Sequence, residues 1–386
     1  MRLAPFRVAA VLLLTVGSAS IASPAFAADP ASDFTVSVSG ASATITGYVG
    51  GKTVVDIPST VSVAGVDYAV TAIGINAFRG NSLPQDVTAV TIPDSVVTIG
   101  DNAFRGDLLT SVVIPDSVVS IGTFAFYNNQ LTSVNFGDSL TTLSNNSFRG
   151  NYLTALTIPA SVTSIGNNTF ADNATGANSL TSVIFEGSAP SITAAGGSGS
   201  FTGAGPTVYY YAGTTGFSAL WNGYVARQIS AARSSITVDP TGAVVADGNA
   251  ISTATITVRD DVLSPVAGVP VFLAAPAGLS ASSMSCTTAA DGTCSVALTS
   301  VVAGSYVLAA RIGSDPTPLT VTIRFAAVAV PPADPGVPAP EPAAELAATG
   351  IDVAWPLASG LLALIVGLGL LASAATRLRM APRRTR

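Results

Sequence analysis

The chain has 386 residues, more than one core usually spans, and it combines 48% hydrophobic with only 10% charged residues, 36 glycines and 24 prolines. That balance excludes a charge-driven disordered chain and favours short strands and turns over helices. The absence of histidine removes Ser-His-Asp and Cys-His nucleophilic sites and His-ligated zinc, and three glutamates, Glu186, Glu341 and Glu345, leave few candidates for paired-carboxylate catalysis. The expectation is a protein that is not an enzyme and has neither cofactor nor metal site. The net charge of −6 conceals an acidic middle, with nine basic against 21 acidic residues between positions 28 and 350. Such a surface repels phosphate backbones, so no nucleic-acid partner is expected.

Residues 1–27 begin with Arg2 and Arg7, run through an apolar stretch at 8–16 and end in Ala25-Phe26-Ala27. This is the order of a secretory signal peptide with a small-x-small cleavage site, so the mature chain is expected to start near Ala28 and to be exported.

The next module, residues 28–233, is built on a 22-residue repeat. Ile99-Gly100-Asp101-Asn102-Ala103-Phe104 returns as Ile121 to Phe126, Leu143 to Phe148 and Ile165 to Phe170, and Ile73 to Phe78 precedes it at an interval of 26. Strand-like segments keep the same interval, as in Val90-Thr91-Ile92-Pro93, Val112-Val113-Ile114-Pro115 and Leu156-Thr157-Ile158-Pro159. A coil this short cannot bury its own apolar side, so successive coils must stack into a solenoid. Alternation points Val112 and Ile114 inward and leaves Ser111 and Val113 outside. Phe78, Phe104, Phe126, Phe148 and Phe170 are expected to form an internal aromatic column. Asn81, Asp107, Asn129, Asn151 and Asn178, two residues before each leading Leu position, are expected to hydrogen-bond backbone at the bends.

Three surfaces are candidates for more than folding. The outward strand positions are Ala89, Thr91, Ser111, Val113, Ser133, Asn135, Ala155, Thr157, Ser182 and Ile184; this small, hydroxylated row reads either as a ligand face or as inert sheet surface, because it lacks Trp, Tyr and Arg. Arg79, Arg105 and Arg149 recur after the Phe column and read either as a basic stripe or as solvated side chains paired with nearby acids. Asp94, Asp116 and Asp138 start turns, where capping is the simpler role and Ca²⁺ ligation the alternative.

The hexapeptides and the Leu-Thr-x-Val-x-Ile-Pro strands over roughly 33–233 resemble the BspA-type leucine-rich repeat family of bacterial surface proteins. Ala43 to Tyr48 looks like the family's N-terminal cap, and Val208 through Trp221 like its C-terminal cap. Ser147, Thr169 and Leu143-Ser144 depart from the hexapeptide but keep its size. The resemblance implies an adhesin-like role, binding host proteins or other cells.

From Ser234 the rhythm changes to strands of five to seven residues between Gly, Pro and Asp turns, the pattern of a β-sandwich over 234–326. Ala254 to Val258, Val269 to Leu273, Ser295 to Leu298 and Tyr306 to Ala310 alternate accordingly. Val245-Ala246-Asp247-Gly248, Pro265 to Val271 and Ala290-Asp291-Gly292-Thr293 resemble the invasin/intimin-type bacterial Ig-like domain, which implies a rigid spacer. Cys286 and Cys294 flank the Asp291-Gly292 turn of an expected hairpin, and in an exported chain they are expected to form a disulfide.

Residues 327–345 are proline-rich and favour an extended stalk. Leu346-Ala347-Ala348-Thr349-Gly350 follows, then an uncharged apolar segment at 354–375 long enough to span a membrane as a helix, then five arginines. Pentapeptide, span and basic tail resemble the cell-wall sorting signal of Gram-positive surface proteins. The resemblance implies that a sortase cleaves between Thr349 and Gly350 and joins Thr349 to peptidoglycan. The variant pentapeptide looks like the form used by high-GC actinobacteria; plain membrane anchoring by residues 351–386 is the alternative.

The expected fold is therefore mainly β: a leucine-rich repeat solenoid, an Ig-like sandwich, a Pro-rich linker and a C-terminal transmembrane helix. The expected function is adhesion to, or recognition of, an extracellular protein or glycan at the cell surface. A passive envelope component is the alternative, and a secreted enzyme a distant third.

Overall fold

Stacking in the first module begins with backbone geometry at the turns. In the computed structural model, which describes residues 28–80, 86–173, 180–192, 199–203 and 205–329, Asn76, Asn102, Asn146 and Asn168 all adopt the left-handed conformation, with φ between 53° and 58°. Asn tolerates that region better than other non-glycine residues, which explains its return in this slot. A second left-handed position lies four residues after Asn102, Phe124, Asn146 and Asn168, at Gly106, Asn128, Gly150 and Asp172. The two bends turn each coil back on itself.

The coils then pair along three tracks. One carries short parallel strands at Thr98–Ile99, Ser120–Ile121, Thr142–Leu143, Ser164–Ile165 and Ser191–Ile192. Another carries Ala89–Thr91, Ser111–Val113, Ser133–Asn135, Ala155–Ile158 and Ser182–Phe185, and is continued by Thr207–Tyr211 and Tyr224–Ile229. The third is the turn side, where the Phe78 N–H donates to the Ala103 carbonyl and Phe104, Phe126 and Phe148 repeat the bond to Ala125, Ser147 and Thr169. Stacking is close: a Cβ on Gly100 would lie 2.9 Å from the Gly74 carbonyl carbon.

The five expected rings do form a buried column, with centroids 4.9, 5.1, 5.0 and 5.7 Å apart and planes within 16° of parallel. Phe201 extends it, 5.6 Å beyond Phe170. It escapes the 22-residue count because residues 174–179 and 193–198 lengthen that coil. Phe34 and Tyr48 close the other end over Phe78, carried by the antiparallel pair Phe34–Ser39 and Ser42–Tyr48. There Lys52 pairs with the buried Asp29. Phe185, Tyr210, Phe217 and Trp221 form the aromatic closure at the far end.

The second module is a two-sheet sandwich. One sheet holds Ser235–Asp239, Ser252–Thr257, Thr293–Thr299 and Ser280–Ala281; the other holds Val244–Val245, Leu319–Ala326, Gly304–Ile312, Pro270–Ala274 and Ser285–Thr287. The expected Cys286–Cys294 disulfide is present, with the Cα atoms 6.0 Å apart. The hairpin is not. Cys286 pairs in register with Val271 and Cys294 with Ile256, so the disulfide joins opposite sheets across the sandwich.

Among the described residues there is no α-helix and none long and apolar enough to cross a membrane. The expected signal peptide at 1–27, the expected stalk beyond residue 329, the pentapeptide Leu346 to Gly350 and the apolar segment at 354–375 lie outside the described residues.

Candidate functional site

The outward strand row is exposed over its first coils. Ser111, Ser133, Asn135 and Ala155 are exposed, Val113 is 62% exposed and Thr157 is half-buried. Val112 and Ile114 point inward, as the alternation requires. Ile184 departs from the expectation. It is in register with Thr157 on that same outward row, yet only 2% exposed.

The reason is the second module. Ile184, Tyr211, Ile229 and Ala231, on the outside of the last strands and just after them, share one apolar core with Val258, Val266, Val271 and Ile312 of the sandwich. The Asp261 N–H donates to the Gln228 carbonyl and the Ser230 N–H to the Arg259 carbonyl, while the Ser314 hydroxyl donates to the Glu186 carbonyl. Arg227 Nε lies 3.7 Å from Oδ2 of the fully buried Asp260. Burial pushes the Tyr211 phenol and the Glu186 carboxyl above their ordinary ranges. The open face therefore ends where the Ig-like module covers it, a limit no local pattern in the repeat announces.

The arginines do not form a free stripe. Arg149 Nε donates to Asp172 at 2.7 Å, with both side chains substantially exposed, and an exposed pair of this kind contributes little. Arg105 donates to Asn102 Oδ1 at 3.1 Å, and its guanidinium carbon sits 5.3 Å from the Phe124 ring centroid and 5.1 Å from that of Tyr127. The two rings meet edge-to-face at 5.4 Å. Phe124 occupies the left-handed slot that Asn holds in four other coils, with φ 59°. That placement costs an aromatic residue about 1–2 kcal/mol. All three side chains are half-buried, leaving a cation and two rings partly open at the turn edge. Arg79 is half-buried on the same edge. The repeat alone hides this cluster, because Phe124 and Tyr127 read as departures from Asn and Arg.

Of the turn aspartates, Asp116 acts on backbone, its Oδ1 accepting the Asp138 N–H at 3.1 Å. Among the described residues no group of three or more potential metal ligands converges.

Residues 66–195 match the family described as BspA type leucine rich repeat region, in six copies, and residues 233–326 match the bacterial Ig-like domain, group 1. No curated protein matches the chain. Among solved structures, a leucine rich cell surface protein from Faecalibacterium prausnitzii A2-165 is 26% identical, covering 40% of this chain and 53% of its own, with a TM-score of 0.27. A leucine-rich repeat protein from Bacteroides capillosus ATCC 29799 is 29% identical over 40% of this chain and 95% of its own, with a TM-score of 0.27. The D00-D0 domain of intimin is 24% identical over 27% and 54%, with a TM-score of 0.23. The chain spans about half or less of the first solved structures it matches. Both modules are of kinds typical of bacterial cell-surface proteins.

Proposed function

We propose that this is an exported surface protein that recognises an extracellular protein or glycan through the turn edge of its solenoid, centred on Arg105, Phe124 and Tyr127. The observation that carries this reading is Phe124. Asn in that slot meets the left-handed backbone at less cost, whereas an aromatic ring there, partly open beside an arginine and a tyrosine, supplies residue types that dominate binding energy. The outward row of Ser111, Val113, Ser133, Asn135, Ala155 and Thr157 is the second candidate face, working by shape and hydroxyl hydrogen bonds. Attachment to peptidoglycan by a sortase acting on Leu346, Ala347, Ala348, Thr349 and Gly350 completes the reading, with the 354–375 segment holding the chain in the membrane until cleavage. The chain then works as a binder, not as an enzyme.

The rival, a passive envelope spacer, draws on the apolar core that the two modules share. An attachment assay on cells or a glycan and protein array separates the two. Phe124→Asn restores the slot's usual residue and should leave melting unchanged or higher while attachment falls at least tenfold. Unchanged attachment in Phe124→Asn, in Arg105→Ala and in a triple Ser111→Glu, Ser133→Glu, Ala155→Glu variant would reject both faces. A blank array with the wild-type chain favours the spacer.

A further inference from the structure

One ladder of buried side chains runs the length of the coils, at Asp107, Asn129, Asn151 and Asn173. Each uses Oδ1 in the same way, accepting the backbone N–H of the residue twenty positions earlier: Val87, Leu109, Leu131 and Leu153, at 3.1 to 3.2 Å. The three amides also donate. Asn129 Nδ2 bonds the Phe104 carbonyl at 2.7 Å, Asn151 Nδ2 those of Phe126 and Phe148, and Asn173 Nδ2 those of Phe148 and Phe170, each at 3.0 Å. The atom in the Nδ2 position is thus surrounded by carbonyl oxygens, which only accept.

Asp107 breaks the series. Its Oδ2 takes the place of the amide nitrogen and is buried with no hydrogen-bond partner among the described residues. An ionised carboxylate there sets lone pair against lone pair in a site closed to water. Among the described residues, the like charge acting on it is Asp86. The described ion pairs join Lys52 to Asp29, Arg149 to Asp172 and Arg227 to Asp260, so none of them neutralises it.

We propose that Asp107 carries a proton in the folded solenoid and donates it from Oδ2 to the carbonyl of Phe104, which makes this joint between coils a pH-sensitive one, closed by acid and weakened by ionisation. Burial is the main cause that pushes the carboxyl up to about 7; the Val87 N–H opposes it and Asp86 adds to it. The sign follows from linkage. The folded state binds the proton more tightly than the unfolded chain, so the stabilisation is complete below the ordinary Asp range and is lost as pH rises through about 7. The solenoid is then a surface module whose N-terminal coils tighten in acidic surroundings.

The test is thermal and urea unfolding of the full chain in detergent micelles at about pH 5 and about pH 8, at one ionic strength, for wild type and Asp107→Asn. Asn is the residue of the next three ladder positions, so the variant is expected to fold. Between the two pH values the unfolding constant of wild type should rise roughly ten- to a thousand-fold more than that of Asp107→Asn, and the variant should be the more stable at the higher pH. Equal pH dependence in the two proteins overturns the proposal. If Asp107→Asn does not fold, carbon-13 labelling of the wild-type aspartate carboxyls reads the proton directly. One resonance titrating near neutrality that belongs to a buried carboxyl supports the proposal, and titration of every aspartate below about pH 5 overturns it.

Discussion

Gly313 of the Ig-like module lies so close to Tyr211 of the last solenoid strands that a Cβ on the glycine would stand 2.1 Å from the tyrosine hydroxyl oxygen. With φ at 48°, Gly313 also holds a conformation that side chains resist. The two modules therefore meet by close packing, and the segment between their strands, residues 230–234, is itself tied back by hydrogen bonds such as that of Ser234 to the Ser230 carbonyl.

Gly313→Ala should consequently cost about 2–4 kcal/mol, combining the conformational penalty with overpacking of a buried contact. Gly268→Ala is the control: its φ is 77° but nothing lies within 4 Å of the added Cβ, so it should lose only about 1–2 kcal/mol. Urea denaturation measures both. Equal losses would mean that the Tyr211 contact gives way freely.

In the aromatic column, Phe126→Ala leaves a void between rings 5.1 and 5.0 Å away and should destabilise the solenoid by about 3–5 kcal/mol. Coils contact only their neighbours, so hydrogen exchange should rise first in the coils on either side of Phe126. A loss under about 1 kcal/mol would show that the column can collapse into the gap.

The Cys286–Cys294 disulfide closes a short loop between the two sheets, and its removal in Cys294→Ser should cost about 2–3 kcal/mol. Because the sandwich shares a core with Ile184 and Tyr211, the last solenoid strands should lose hydrogen-exchange protection along with it. Thiol alkylation of the unreduced protein should label nothing; labelled cysteines would contradict the pairing.

Wall attachment is tested by Thr349→Ala. Wild type should resist extraction with hot detergent, and the variant should move to the detergent-soluble membrane fraction. A wild type that is already fully soluble in detergent identifies the apolar segment as the anchor.

Much of this architecture is legible in the residues themselves. A 22-residue interval that returns Phe to one position and alternates Val and Ile beside it has one economical solution, stacked coils with an internal column, because each coil exposes too much apolar surface alone. Asn in a fixed slot announces a left-handed turn for equally local reasons. The ladder is readable at Asp107, Asn129 and Asn151, but counting two residues back from the leading Leu180 picks Asn178, whereas the 22-residue interval from Asn151 lands on Asn173, which holds the last described rung; Asn81 and Asn178 lie outside the described residues.

Tertiary structure decided what depends on distant segments meeting. The burial of Ile184 follows from a domain more than forty residues further on, and the crossing of the sandwich by Cys286 and Cys294 follows from their strands choosing different sheets. Local alternation tells which side of a strand faces outward; it carries no record of what later covers that side. The same holds for charge. Asp107 and Asn129 look interchangeable as turn residues, and only the stacked coils separate them: the second side-chain atom of Asn129 donates to the Phe104 carbonyl, while that of Asp107 is buried with no hydrogen-bond partner among the described residues.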